Sequence, residues 1–214
     1  MKLFRKSDRP AFLNNITKIF GHRVRKYGNT PKGVLWKNSE GQQLRFEILA
    51  AMMDDLPPAG NISINDFGCG YGALFDFLCD LPSLTEFTYT GFDMSTDMIV
   101  AGKKRFNDTR ATFKEAIRID TPADFTFVSG TFNLKNDTSD NLWNEYIKSN
   151  LRQLWSMTSK GMAFNMLDKA RPDRAEGLYY ADAIEFLDFC SEFSGDVTLS
   201  NDYPLHEWTI FIRR

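Results

Sequence analysis

Apolar residues recur at helical spacing through residues 11 to 26. They place Phe12, Leu13, Ile16, Ile19, Phe20 and Val24 on one face, with Lys18, Arg23, Arg25 and Lys26 mostly elsewhere. An amphipathic helix of this kind needs a surface to cover. Tyr27 to Asn38 carries Gly28, Pro31 and Gly33 and reads as a loop. Ser39 then opens a second helix to about Met53, which Pro57-Pro58 and Gly60 terminate. Further along, strand and helix spacing alternate. Strands are expected at 61–67, 87–93, 111–117, 124–129, 161–167, 196–201 and 206–213, and helices at 71–80, 95–106, 138–157 and 181–192. Ser95 is placed to cap the helix at 95–106, with Asp97 adding negative charge to its first turn. The alternation predicts a doubly wound α/β fold: a mostly parallel seven-stranded sheet, helices on both faces and an N-terminal helical arm. The last two strands, joined by Asn201-Asp202-Tyr203-Pro204, are close enough to form an antiparallel hairpin.

At 214 residues the chain can bury one full core, here with an arm of residues 1–38 and a body of residues 39–214. The apolar share of 43% is ordinary for a soluble globular protein, and 19 Phe point to an aromatic core. No segment approaches the roughly 18 uninterrupted apolar residues of a membrane helix, and the N-terminus lacks the apolar run of a signal peptide. A cytoplasmic protein without membrane attachment, monomeric or homodimeric, is the expectation. Cys69, Cys79 and Cys190 lack paired spacing and His22 and His206 are the only histidines, so neither a disulfide framework nor a metal site is expected. The net charge of −2 conceals an asymmetry, because residues 1–37 hold ten Lys/Arg against Asp8 alone. A basic arm can bind nucleic acid, an acidic surface or an anionic small substrate, or dock on its own acidic domain.

The densest chemistry lies at Asp66-Phe67-Gly68-Cys69-Gly70-Tyr71-Gly72, between an apolar strand and an amphipathic helix. Alternate glycines let the chain leave the strand tightly and lie against a ligand where a Cβ would collide. The helix beyond offers its unpaired first-turn N–H groups to that ligand. The second strand ends in Asp93, where a carboxylate can accept both hydroxyls of a ribose. A dinucleotide fingerprint would set a third glycine where Ala73 or Leu74 stands. This chain instead has Gly-x-Gly-x-Gly with Asp66 two residues before the first glycine. In that spacing it resembles the class I S-adenosylmethionine (SAM)-dependent methyltransferases, whose fold also inserts its last strand antiparallel.

The resemblance implies SAM as donor and S-adenosylhomocysteine as product. It implies that Asp66 helps to hold the methionine ammonium while Gly68, Cys69, Gly70 and Gly72 run beside the cofactor. Asp93 takes the ribose, and Met94 and Met98 can cover the adenine with soft apolar contact or pack their helix. Related enzymes often carry Gly-Asp at the end of the third strand. Lys114-Glu115-Ala116-Ile117 lacks it, leaving Glu115, Ala116 or Ile117 to act through backbone groups or a shifted carboxylate. Ser129, ending the fourth strand, is expected to touch cofactor. Trp36 and Arg45 belong to the segment that folds over the cofactor in similar enzymes, and Arg45 can pair the SAM carboxylate.

Three residues are candidates to meet the acceptor: Asn133 through its amide, Tyr203, and His206 as a general base. The loop Asp168 to Tyr180 is long and mixes Arg171, Arg174, Tyr179 and Tyr180, a composition that suits an anionic or aromatic substrate or a solvated loop. Methyl transfer to an oxygen or nitrogen of a small-molecule acceptor is the function expected. Two alternatives remain: a nucleic-acid methyltransferase using the basic arm, and a SAM-binding regulatory module without catalysis.

Overall fold

The computed structural model describes residues 9–54 and 61–214. The basic positions of residues 1–8 and the Pro57-Pro58-Gly60 break lie outside them. Helix α1 (Leu13–Tyr27) and α2 (Ser39–Ala50) precede the sheet, α2 ending in a 3-10 turn at Ala51–Met53. There follow β1 (Ile62–Phe67), α3 (Ala73–Cys79), β2 (Phe87–Asp93), α4 (Thr96–Arg105), β3 (Ala111–Glu115) and β4 (Ala123–Ser129). The chain continues as α5 (Asp140–Ser156), β5 (Thr158–Asp168), β6 (Tyr180–Ala181), α6 (Ala183–Ser191), β7 (Asp196–Ser200) and β8 (Glu207–Arg213).

The main sheet runs in the order β3-β2-β1-β4-β5-β8-β7, with the two-residue β6 pairing β5 off that path. Strands β1 to β5 are mutually parallel. The last strand, β8, is antiparallel to both β5 and β7, as the terminal hairpin predicted. Strand order reverses between β1 and β4, which opens a crevice at their carboxyl ends. Two expectations shift. The third strand ends at Glu115, so Ala116 and Ile117 lie just past it, and Ala116 N–H donates to Asp93 O at 2.9 Å. The loop after β5 contains β6, whose two residues are too short a run to show a period in sequence.

Side chains alternate between two apolar cores because strand neighbours point to opposite faces. On β8, Ile210 and Ile212 join one core while Phe211 joins the other. The first core lies under α1, α5 and α6 and includes Trp143, Phe164, Phe186 and Trp208, all almost completely buried. The second lies under α2, α3 and α4 and centres on Phe75, Tyr89, Phe113 and Phe127. The helices start where side chains accept first-turn N–H groups: Asn38 for α2, Ser95 for α4, Ser139 for α5 and Asp182 for α6.

The arm docks on its own domain. Leu13 and Ile16 are buried in the first core, and Phe12 meets Trp143 and Tyr146 edge-on. Two of its cations are engaged there as well: Arg9 donates to Met94 O at 2.8 Å and lies 3.8 Å from Glu115, and Arg25 pairs with Asp97.

Candidate functional site

The glycine turn is built at the ends of β1 and β2. Gly68, Gly70 and Gly72 have φ of 82°, 55° and 85°, a region that side chains with a Cβ rarely adopt. Gly68 N–H and Cys69 N–H both donate to Phe92 O, at 2.7 and 3.0 Å. Asp93 completes the tie: Oδ2 accepts from Gly70 N–H at 3.0 Å and Oδ1 from Ser95 N–H at 2.8 Å. One carboxylate therefore holds the turn to β2, with lone pairs left over. Burial pushes Asp93 up to about 6, against the Ser95 and Gly70 N–H groups that favour its charged form.

Asp66, the penultimate residue of β1, accepts from Tyr89 Oη at 2.7 Å. It is pushed up to about 7, first by burial, with the Tyr89 hydrogen bond opposing and the charge of Asp93 adding to the rise. Its native form thus keeps a proton between pH 3.8 and about 7, where the unfolded chain has lost it. The stability tied to that proton is full below the lower value and is lost as pH rises through the upper one. An Asp66→Asn variant does not titrate. Its unliganded stability should therefore gain on wild type from pH 4 to 8, by about 4 kcal/mol at most, since the amide's own burial is the same at every pH and drops out of the change. Urea titrations across that range check this, and a gap independent of pH would refute it.

These groups border a cavity that, with the open solvent at its mouth, encloses about 920 Å³ of empty space. Trp36, Asp66, Gly68, Cys69, Gly70, Asp93, Met94, Met98, Ala116, Ile117 and Ser129 all line it. Ser129 Oγ is buried there without a hydrogen-bond partner. The structure sets Gly72 and Arg45 apart from it. A Cβ at Gly72 would lie 2.8 Å from the Phe106 and Phe113 rings, so this glycine serves packing behind the turn. Arg45 forms a bidentate pair with Glu207 of β8, donates to Gly41 O at 2.6 Å, and stacks 4.0 Å from the Trp36 ring centroid. With its guanidinium so committed, Arg45 props Trp36 from behind and does not reach the cavity. The sequence reading missed Leu13 and Phe20 of α1, Gln42 of α2 and Tyr146 of α5, which also form cavity walls. The apolar face of α1 was visible, but not the surface it covers.

A second cleft, about 1220 Å³, adjoins the first and shares Phe20, Val34, Trp36 and Gly130 with it. Gly130 has φ 62°, and a Cβ there would fall 2.3 Å from the Trp36 indole, so only glycine lets the ring close over the β4 end. Asn133 and His206 line this cleft. Asn133 Oδ1 accepts from Leu167 N–H at 3.3 Å, which orients the amide so that its N–H groups point away from β5. His206 is exposed and lies just before β8, which starts one residue later than the expected strand 206–213. Tyr203 does not line the cleft: its hydroxyl meets Thr209 Oγ1 at 3.0 Å, and burial raises it above the ordinary tyrosine value, away from use as a base.

No family profile matches the chain. A protein of Mycobacterium tuberculosis (strain ATCC 25618 / H37Rv), provisionally named methyltransferase Rv1506c, is 40% identical over 164 residues, covering 73% of this chain and 95% of that protein. The chain belongs to the class I SAM-dependent methyltransferases. Solved structures share the fold at much lower identity. Magnesium protoporphyrin IX methyltransferase from Synechocystis PCC 6803 with bound SAH superposes with a TM-score of 0.67 at 14% identity, over 95% of this chain and 99% of that one. The plantazolicin methyltransferase BpumL, in complex with a pentazolic desmethylPZN analog and SAH, gives 0.57 at 13% identity, over 94% and 98%. The DhpI–SAH complex gives 0.59 at 12%, over 94% and 96%. In this SAM-dependent methyltransferase, then, the two joined clefts flank the end of β4.

Proposed function

We propose that the chain moves the methyl group of SAM to an oxygen or nitrogen of a small-molecule acceptor, with donor in the first cavity and acceptor in the second cleft. The observation that carries this reading is the junction itself. A cavity walled by the glycine turn and the Asp66 and Asp93 carboxylates opens, past Trp36 and Gly130, on a larger cleft with its own polar groups. The donor's chemistry suits the first cavity. Buried Asp66 and half-buried Asp93 would accept from an ammonium and a ribose, and the orphaned Ser129 Oγ awaits a partner. Gly68, Cys69 and Gly70 bring backbone to the wall, Met94 and Met98 offer apolar surface, and Ala116 and Ile117 lie where an adenine edge would meet main chain.

SAM supplies a methyl already activated by positive sulfur, so the protein's work is mainly orientation and exclusion of water. Asn133 and His206 would meet the acceptor. A small-molecule acceptor agrees with the similar structures, one named for magnesium protoporphyrin IX and another complexed with a desmethylPZN analog.

Calorimetric titration with SAM and S-adenosylhomocysteine, followed by a metabolite screen with methyl-labelled SAM, tests the proposal. Absence of binding would refute it, and binding without transfer to any acceptor would favour a regulatory module. His206→Ala is expected to lower the transfer rate at least about tenfold while SAM affinity stays unchanged. Equal activity would reduce His206 to a surface residue.

A further inference from the structure

The loop after β5 holds four residues whose composition suits an anion or an aromatic group, and the structure divides them. Tyr179 is buried and its hydroxyl accepts from Asn144 Nδ2 at 2.9 Å. Tyr180 Oη accepts from Ala175 N–H at 2.8 Å, and Arg174 donates to the main-chain oxygens of Lys169 and Arg171. These three stabilise the loop's own shape. Arg171 differs. Its backbone is set by a turn in which Arg171 N–H donates to Asp168 O at 3.1 Å and Ala170 N–H to Asp168 Oδ1 at 2.8 Å. Its guanidinium lines the second cleft, has no ion pair among the described residues, and carries a buried Nε without a hydrogen-bond partner.

The rest of the cleft carries charge of the same sign. Lys37 stands on its wall, also without an ion pair among the described residues. The carboxylate among its lining residues, Glu207, is neutralised by Arg45 and accepts from Asn165 Nδ2 at 2.7 Å. The cleft therefore presents uncompensated positive charge. The same lining includes Leu134, Leu167, Leu178 and Leu205, an apolar surface that would hold a hydrocarbon or aromatic body. An orphaned, partly desolvated guanidinium beside apolar walls favours an anion that supplies two acceptor oxygens in one plane.

We propose that the second cleft takes a small amphipathic carboxylate, its head on Arg171 and Lys37 and its apolar body on the four leucines. The proposal rests on reading that cleft as the acceptor site. Three probes of one shape separate the claims: 6-phenylhexanoate, 6-phenylhexan-1-ol and 6-phenylhexylamine, titrated by ligand-observed NMR into protein loaded with S-adenosylhomocysteine. The carboxylate is expected to bind about tenfold tighter than the alcohol, with the amine weakest. Arg171→Gln should erase that preference and Arg171→Lys keep part of it, with S-adenosylhomocysteine affinity unchanged in both. Leu205→Trp, which fills the cleft, should abolish binding of all three. Equal binding of the three probes to the wild type, blocked by Leu205→Trp, would overturn the carboxylate assignment and leave the cleft as acceptor site. No binding, or binding indifferent to Leu205→Trp, would overturn both. The wild-type comparison of head groups decides the charge question even if a variant fails to fold.

Discussion

Asp93→Ala should weaken SAM binding by about 2–3 kcal/mol, roughly 30- to 150-fold in Kd. The size follows from two losses at one position. The carboxylate would accept hydroxyl hydrogen bonds from the ribose, and bonds to a charged group lie near the top of the usual range. It also accepts from Gly70 N–H and Ser95 N–H, so the same truncation frees the glycine turn from the end of β2. Asp93→Asn separates the two effects. It retains a side-chain oxygen for one of the N–H groups but loses the charge and the second acceptor, so its affinity should fall between wild type and alanine. Calorimetry gives the affinities and thermal melts show that the fold survives. Unchanged affinity in the alanine variant would sink the ribose assignment.

Glu207→Ala should destabilise the protein by about 3–5 kcal/mol, the cost of removing one partner from a buried ion pair. The side chain of Glu207 is 2% exposed and that of Arg45 is 11% exposed, so the guanidinium left behind stays largely out of water. Asn165 loses an acceptor in the same step, and its own oxygen accepts Gly130 N–H at 2.8 Å, so the damage reaches the β4 end. Trp36, stacked on Arg45 and closed over Gly130, loses its support. Replacing both partners, Arg45→Met with Glu207→Leu, should cost much less than the single change, since no unpaired charge remains. Chemical denaturation of the three variants measures this, and a single-variant loss below 1 kcal/mol would contradict it.

Much of this protein was legible in order along the chain. Strand β2 was expected at 87–93 and runs Phe87–Asp93, because alternating residues with β-branched and aromatic side chains leave little ambiguity. The positions of the glycine turn and of Asp93 were legible because they depend on backbone conformation and on a neighbouring strand end, both local to one β-α-β unit. The family assignment rests on the same residues together with the Mycobacterium tuberculosis relative.

Other assignments required contacts remote in sequence. Arg45 was expected to meet the donor, yet it pairs with a residue 162 positions away, and no periodicity signals such a partner. Tyr203 was a candidate for the acceptor, but Thr209 takes its hydroxyl. Gly72 shares a motif with Gly68 and Gly70, while the rings behind it give it a different task. The loop after β5 carried several attractive side chains, and only its folded hydrogen bonds show that Arg171 stays uncommitted.

By itself the sequence determined the alternation of strands and helices, the position of the glycine turn and the acidic strand ends, since these follow from side-chain period and glycine's freedom at positive φ. The tertiary structure alone decided which polar groups are spent on the fold and which remain for ligands. That choice depends on burial and on partners brought together by the sheet, and a buried charge must find its partner wherever in the chain it lies.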